Sequence, residues 1–421
     1  MSPDRPPEDA PEPAREPGRG RMRSMAAEVP SAPLAHSIEV AGRVVARSGD
    51  EALLRDPSGT VRLVGSQLPE LLSLARVRGR WNGAALEVEQ CVEEHMPSAF
   101  GELRDSELWA LSRGGDLKLK RLQQRASLLR AIRRFFDARG FLEVETPLLV
   151  PSPGLEVHLD ALSVSTRQGT RYLVTSPEYQ MKRLLAGGLE RIYQLGKCFR
   201  NDEVGTRHQP EFTMLEWYRG FADVDAVMAD TEQLVAELAS AHSGAPVLHS
   251  AWGEIDVTPP WKRLTMRDAF AQFCDVPMEE ALRDEELFFR KLVDQIEPRL
   301  AELGAVFLCE WPASLASLAR RKPDDPSVAE RFEAYVAGIE LCNGFGELTD
   351  AHEQRARFLV DQTVRAERGL PVYPIDERFL SALAQGIPPS GGNALGVDRL
   401  LMLLLGAEHI EEVLALGLSR V

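Results

Sequence analysis

The sequence has no CxxC pair and only five cysteines, Cys91, Cys198, Cys274, Cys309 and Cys342, scattered along 421 residues. That excludes a zinc or disulfide framework read from spacing and fits a reducing cytosol, so the expected location is cytoplasmic. No apolar run is long enough to cross a bilayer. The richest, Leu400 to Leu405, soon meets Glu408, and no membrane association is expected. The N-terminus lacks the apolar core of a signal peptide. Positive charge is also in deficit. The net charge of −15 argues against a protein that coats nucleic acid, while leaving room for a local basic groove. Internal repeats are absent.

What is present is an ordinary globular composition, 44% hydrophobic and 27% charged, in a chain long enough for two or three domains. Residues 1 to 36 are rich in Pro, Arg, Glu and Ala and read as a disordered tail, with Met22 and Met25 as alternative starts. Residues 37 to 95 are short alternating runs separated by turn signals such as Asn82-Gly83, the pattern of a small β barrel. A linker is expected over 96 to 117. From 118 a helix is predicted, with Leu122, Leu128, Leu129, Ile132, Phe135 and Phe136 at helical spacing, followed by a strand FLEVE stopped by Pro147. Its basic residues, Lys118, Lys120, Arg121, Arg125, Arg130, Arg133 and Arg134, read as a solvated face or as a dock for an acidic partner. Residues 222 to 305 read as mostly helical scaffold.

Chemistry is concentrated in four stretches. Residues 191 to 218 read as a hairpin around the polar loop NDEVGTRHQP. Alternation puts Phe212, Glu216 and Tyr218 on one face, with Arg200 closing the first strand. An arginine, a ring and a carboxylate on one face suit a phosphate, a base and a cation; a salt-bridged amphipathic hairpin is the plainer alternative. In TSPEYQMKRLL, Ser176 reads as an N-cap, Pro177 as the first helical residue and Glu178 as a first-turn acid. In ERFEAYVAGIELCNGFGE, a turn at Ala337-Gly338 brings Glu333 and Glu340 together across a hairpin. That suits a magnesium ion shared with phosphates, or else a partly exposed acidic pair. Asn343 and Glu347 follow, and a buried Glu347 would want a cation. In SGGNALGVDRLLMLLLG, glycines permit close packing before an apolar helix that carries Arg399 at its start.

Residues FRNDE and RHQPEFTMLEWY resemble motif 2 of the class II aminoacyl-tRNA synthetases, in the subclass for lysine, aspartate and asparagine. The helix, strand and proline before them resemble motif 1, and GVDR before its helix resembles motif 3. The resemblance covers residues 118 to 421. It implies an α+β catalytic domain with a six-stranded antiparallel sheet flanked by helices, a homodimer built on motif 1, and ATP-dependent activation of a carboxylate. It implies that Arg200 and Arg399 are catalytic, and that Arg200, Glu203, His208, Phe212, Glu333, Glu340 and Arg399 hold ATP. Glu333 and Glu340 would carry Mg2+. Glu347, Tyr218 and Asn343 match a lysine side-chain pocket; Glu178 and Glu216 match its amino end. Residues 37 to 95 resemble a reduced OB-fold, without the aromatic platform that base stacking needs, which makes tRNA binding doubtful.

Two details resemble the ligase branch of this family, whose members attach (R)-β-lysine to a lysine of elongation factor P. Ser176 stands where the synthetases usually have alanine, and Ala394 where they usually have glycine. The expectation is therefore a ligase with lysine or (R)-β-lysine and elongation factor P as partners. The alternatives are lysyl-tRNA synthetase, which the barrel favours, and a silent regulatory paralogue, which the intact Arg200, Glu333, Glu340 and Arg399 oppose.

Overall fold

The computed structural model describes residues 24–97, 115–201 and 203–420. The linker expected over 96 to 117 falls mostly outside them, as does the first part of the tail. The chain divides into a unit ending at residue 119 and one beginning at residue 120.

The first unit holds five strands, β1 (Ser37–Ser48), β2 (Glu51–Asp56), β3 (Gly59–Val64), β4 (Leu74–Trp81) and β5 (Leu86–His95). They close into a barrel in the order β1-β2-β3-β5-β4, with only the β3–β5 closure parallel. As far as Val44, every second residue of β1 points inwards: Ile38, Val40 and Val44 join Leu54, Leu63, Val77 and Leu86 in one core. This is the small barrel expected from alternation, consistent with the OB-like fold that the resemblance implies. The tail expected to run to 36 needs correcting over its last residues. Ala26–Ser31 forms a 3-10 turn whose Ala26 and Val29 are fully buried in the barrel core. Two apolar side chains suffice because the backbone is also fixed: Ala26 N–H donates to Asp56 at 2.7 Å and Ala27 N–H to Ser58 at 2.9 Å.

Helix α1 (Gly115–Asp137) leads to β6 (Leu142–Glu143), which is much shorter than the strand expected before Pro147. A small sheet of β7 (Leu149–Val150), β8 (Ser163–Thr166) and β9 (Gly169–Leu173) precedes helix α2 (Glu178–Ala186). Helix α2 begins one residue later than expected: Pro177 flanks it, and Ser176 Oγ accepts from Glu178 N–H at 3.2 Å. The hairpin β10 (Arg191–Phe199) and β11 (Glu211–Gly220) comes next, then α3 (Val224–Ser243). The stretch read as helical scaffold also contains strands β12 (Val247–Ser250), β13 (Gly253–Asp256) and β14 (Lys262–Thr265). These are four residues each, too short for periodicity to reveal. Helices α4 (Met266–Phe273), α5 (Met278–Ala281), α6 (Glu285–Lys291) and α7 (Glu297–Glu302) connect β14 to β15 (Ala305–Pro312), with a π turn at Leu292–Ile296. Next come β16 (Val328–Val336), β17 (Ile339–Gly346), α8 (Ala351–Glu367), α9 (Glu377–Gln385), β18 (Ser390–Gly396) and α10 (Val397–Leu405), followed by 3-10 turns at Ile410–Val413 and Leu418–Arg420.

The main sheet has eight strands in the order β14-β15-β16-β17-β18-β11-β10-β6. The six from β15 to β10 are mutually antiparallel, as expected, but a parallel strand is added at each edge, β14 on β15 and β6 on β10. A parallel edge needs a long crossover, and helices α4 to α7 supply one of them. Alternation splits β11 between two environments. Leu215 and Trp217 enter a core with Phe136 of α1, Val235 of α3 and Leu401 of α10. Glu216 and Tyr218 point to the other face.

Candidate active site

The hairpin register pairs Cys198 with Phe212, Gln194 with Glu216 and Ile192 with Tyr218. Strand β18 lies on the other side of β11 and places Ala394 opposite Glu216. Strand β17 places Asn343 opposite Ala394, and β16 places Glu333 opposite Asn343. Gln194, Glu216, Ala394, Asn343 and Glu333 thus form one lateral row across five adjacent strands, on one face of the sheet. Residues from five separate stretches of sequence become neighbours only through this register.

A cavity of about 1270 Å³ opens over that face. Asn343 and Ala394 line it together with Arg200, His208, Phe212 and Arg399. Arg200 lies over the Phe212 ring at 5.1 Å and approaches Glu203 at 3.5 Å. Arg399 donates to the Glu340 carbonyl at 2.8 Å, meets the Glu340 carboxylate at 3.3 Å and contacts His208 Nε2 at 2.6 Å. Burial and then the Arg399 charge hold the His208 pKa below its ordinary value, so the neutral ring can accept from the guanidinium.

The turn at Ala337-Gly338 forms as expected, both residues having positive φ (51° and 71°), with Tyr335 opposite Glu340. The register shifts between Ala334 and Tyr335, so the strand irregularity lies close to the turn. Glu333 accepts from Arg331 and from the Tyr335 hydroxyl, both at 2.8 Å. Its carboxyl is pushed up to about 7, first by burial and then by the Glu340 charge. The two carboxylates therefore feel each other. Among the described residues, no three His, Cys, Asp or Glu side chains gather as a metal site by themselves.

Ser176, Glu178, Glu216, Tyr218 and Glu347 form a buried group on the same side of the sheet. Glu216 accepts from Ser176 Oγ at 2.6 Å and from Tyr218 Oη at 2.7 Å. Burial, then the Glu178 charge, pushes Glu216 up to about 8. The cation that Glu347 needs is internal. Lys182, almost fully buried, contacts Glu178 at 2.6 Å and Glu347 at 2.5 Å. Burial works against its ammonium, but the two carboxylates more than offset this and raise its pKa. The sequence reading missed Lys182, although its i,i+4 spacing from Glu178 signals such a pair. Gly392 is required here, because a Cβ would come within 2.3 Å of Glu347 Oε1 and 2.4 Å of the Tyr218 ring.

The basic face expected on α1 is only partly a surface. Arg121 turns inwards to Glu412 and to the Gly406 carbonyl at 3.1 Å. Arg125 binds Asp398 at 2.6 Å and Thr213 Oγ1 at 3.0 Å, while Thr213 N–H donates to Asp398 at 2.7 Å. Asp398 thereby joins the helix of the first motif, the strand of the second and the helix start of the third. Residues 111–420 match the family tRNA synthetases class II (D, K and N). The chain belongs to the class II tRNA synthetases. As a member of that family it is an ATP-dependent ligase. Its relatives include three proteins named elongation factor P–(R)-β-lysine ligase. The one from Salmonella gallinarum is 42% identical over 311 residues, that from Proteus mirabilis 43% over 312, and that from Edwardsiella ictaluri 44% over 309. Each alignment takes up 71% of this chain and 95% of the relative. The barrel lies before the family match, which begins at residue 111. Among the described residues no helix is long and apolar enough to cross a membrane.

Proposed function

We propose that this class II synthetase-family ligase activates lysine or (R)-β-lysine as an aminoacyl-adenylate and transfers it to a lysine of elongation factor P in the cytoplasm. The observation that carries this is the buried carboxylate pocket beside the cavity over the sheet, read with relatives of that name at 42–44% identity.

ATP lies with its adenine between Phe212 and Arg399, its triphosphate near His208 and Glu203, and its α-phosphate at Arg200. The substrate carboxylate attacks the α-phosphorus, and no protein nucleophile takes part. Catalysis is then positioning and neutralisation of phosphate charge. The residues present fit a magnesium ion: Glu333 and Glu340 would hold it jointly with phosphate oxygens, where it would neutralise developing charge. Their mutual repulsion is a reason for a cation there.

The pocket chemistry suits a dication. Glu178 and Glu347 share the single Lys182, and Glu216 forms no ion pair among the described residues, so two substrate ammoniums complete the charge balance when all three acids are ionised. Ser176 and Tyr218 fix Glu216 at the amino end, and Glu347 with Asn343 meets the side chain. Ala394, beside Glu216 in the row, adds a methyl where the amino group of α- and β-lysine differs. Aspartate and asparagine are disfavoured by the same carboxylates. A homodimer through the first motif is supported by the short parallel edge strand β6 and by the exposed Leu142, Leu148 and Leu149 beside it.

The second reading is lysyl-tRNA synthetase, favoured by the barrel. One assay separates them: ATP, labelled lysine or (R)-β-lysine, and either elongation factor P or tRNA as acceptor. Label on the protein, greater with the β isomer, is expected. Label on tRNA alone would make the barrel an anticodon module and reverse the interpretation of Ser176 and Ala394.

A further inference from the structure

The cavity is larger than one ligand needs. At about 1270 Å³ it exceeds the roughly 300–1,000 Å³ usual for small-molecule pockets. Beyond the nucleotide residues it continues along the loop of Glu156 and Val157 and along Val360 and Asp361 of α8. No role assigned so far uses that wall.

Among the carboxylates lining the cavity, Glu156 and Asp361 form no ion pair among the described residues, and Asp361 lies within the field of Arg357 and Arg365, while Asp398 is held by Arg125. Glu340 is tied to Arg399, Glu203 to Arg200, and Glu285 to His158 and Arg368. Glu286 and Asp294 are exposed. The Glu156 carboxylate forms no ion pair among the described residues. It folds back over Gly154, where a Cβ would lie 2.6 Å from its Oε2. Its loop is pinned by Arg365, which donates to the Glu156 carbonyl at 2.9 Å. The charged groups around it are Glu178 on α2, Asp361 on α8 and Arg200 at the end of β10. The Tyr179 hydroxyl, next to Glu156, is a second observation. It is buried, makes no well-formed hydrogen bond, and is surrounded by Glu156, Glu178, Asp361 and the Leu155 backbone. Such a group is costly unless a polar partner arrives.

We infer that Glu156 receives the ammonium of the acceptor lysine and removes its proton beside the adenylate whose α-phosphate Arg200 holds. This rests on the proposed function, because only an amine acceptor needs it. A lysine side chain has a pKa of about 10.4, so at neutral pH almost all of it is protonated and unreactive. The ammonium first gives one proton to Glu156, which releases it to solvent through the open cavity. The amine lone pair then forms the C–N bond. The C–O bond to phosphate breaks, and AMP leaves with that electron pair. The second proton on nitrogen passes to Glu156 in turn. Burial, then Glu178, pushes the Glu156 carboxyl up to about 7, near the value a base at neutral pH requires.

The test uses Glu156→Gln in the full chain and separates the two half-reactions. Lysine-dependent pyrophosphate exchange, for which Glu156 is not needed, is expected within about 3-fold of wild type, while transfer to elongation factor P falls by about 100-fold or more at pH 7. The deficit should shrink by about tenfold per pH unit between pH 8 and 10, as the amine deprotonates unaided. Hydroxylamine, an amine already neutral at pH 7, should trap the adenylate equally with both chains. Glu156→Asp should recover part of the transfer and keeps the test open if the glutamine chain does not fold. Wild-type transfer rates in Glu156→Gln, or parallel loss of exchange, would overturn the assignment alone. Label on tRNA and none on protein with the wild-type chain would overturn the proposed function, and this inference with it.

Discussion

Arg399 shows how much one side chain does before any ligand arrives. It joins β17, through Glu340, to the loop of the hairpin, through His208. Replacing it with alanine removes both the proposed adenine clamp and this link. Arg399→Ala should lower pyrophosphate exchange by at least 100-fold, about 3 kcal/mol of transition-state stabilisation. Exchange near the wild-type rate would refute the clamp. Glu347 makes the complementary case. Its carboxylate shares Lys182 with Glu178, so Glu347→Gln leaves one cation facing one fewer charge. Lysine KM should rise by about 10- to 100-fold, with ATP affinity changed by less than about 3-fold. Equal losses of both would remove Glu347 from the substrate pocket.

At the scale of elements, Arg125 is the joint. It extends from α1 to Asp398 at the start of α10 and to Thr213 on β11, in a place where Asp398 is only 2% exposed. Removing one partner of a buried pair leaves the other charge uncompensated. Arg125→Met should destabilise the catalytic unit by about 3 kcal/mol and lower activation, although Arg125 does not line the cavity. A melting temperature equal to wild type would contradict the joint. The same residue shows a limit of pattern reading. Helical periodicity placed the apolar stripe of α1 correctly, and Leu128, Ile132, Phe135 and Phe136 are buried. It could not tell a solvated arginine from one reaching 273 residues ahead to its partner. The strands of β12 to β14 were missed for a related reason: at four residues each they have no period to display.

Over the whole molecule, the buried acids give stability a pH dependence of unusual sign. Glu216, at about 8, and Glu156 and Glu333, at about 7, hold protons in the folded chain that an unfolded chain releases near pH 4.3. The folded state therefore binds more protons in that interval, and stability falls as pH rises. His208, His158 and His242, whose pKa values burial lowers, act in the opposite direction, but that effect is complete by about pH 7. Between pH 7 and 8.5 the acids dominate. Ligand-free protein should lose on the order of 1 kcal/mol across that range, and lysine should restore more stability at the upper end than at the lower. Thermal unfolding with and without lysine checks this; a melting temperature that rises with pH over the interval would oppose it.

The sequence by itself determined the family, the alternation that sorts Glu216 and Tyr218 from Leu215 and Trp217, the type and order of the catalytic motifs, and the turn that joins Glu333 to Glu340. These are local properties, set by period, turn chemistry and long motif strings. Only the tertiary structure decided which residues share a row across the sheet, that Lys182 neutralises Glu178 and Glu347, that Arg125 faces inwards, and that Glu156 stands on the cavity wall with no ion pair among the described residues. Strand register and burial fix those facts. Both depend on contacts between residues far apart in the chain, which no window of sequence contains.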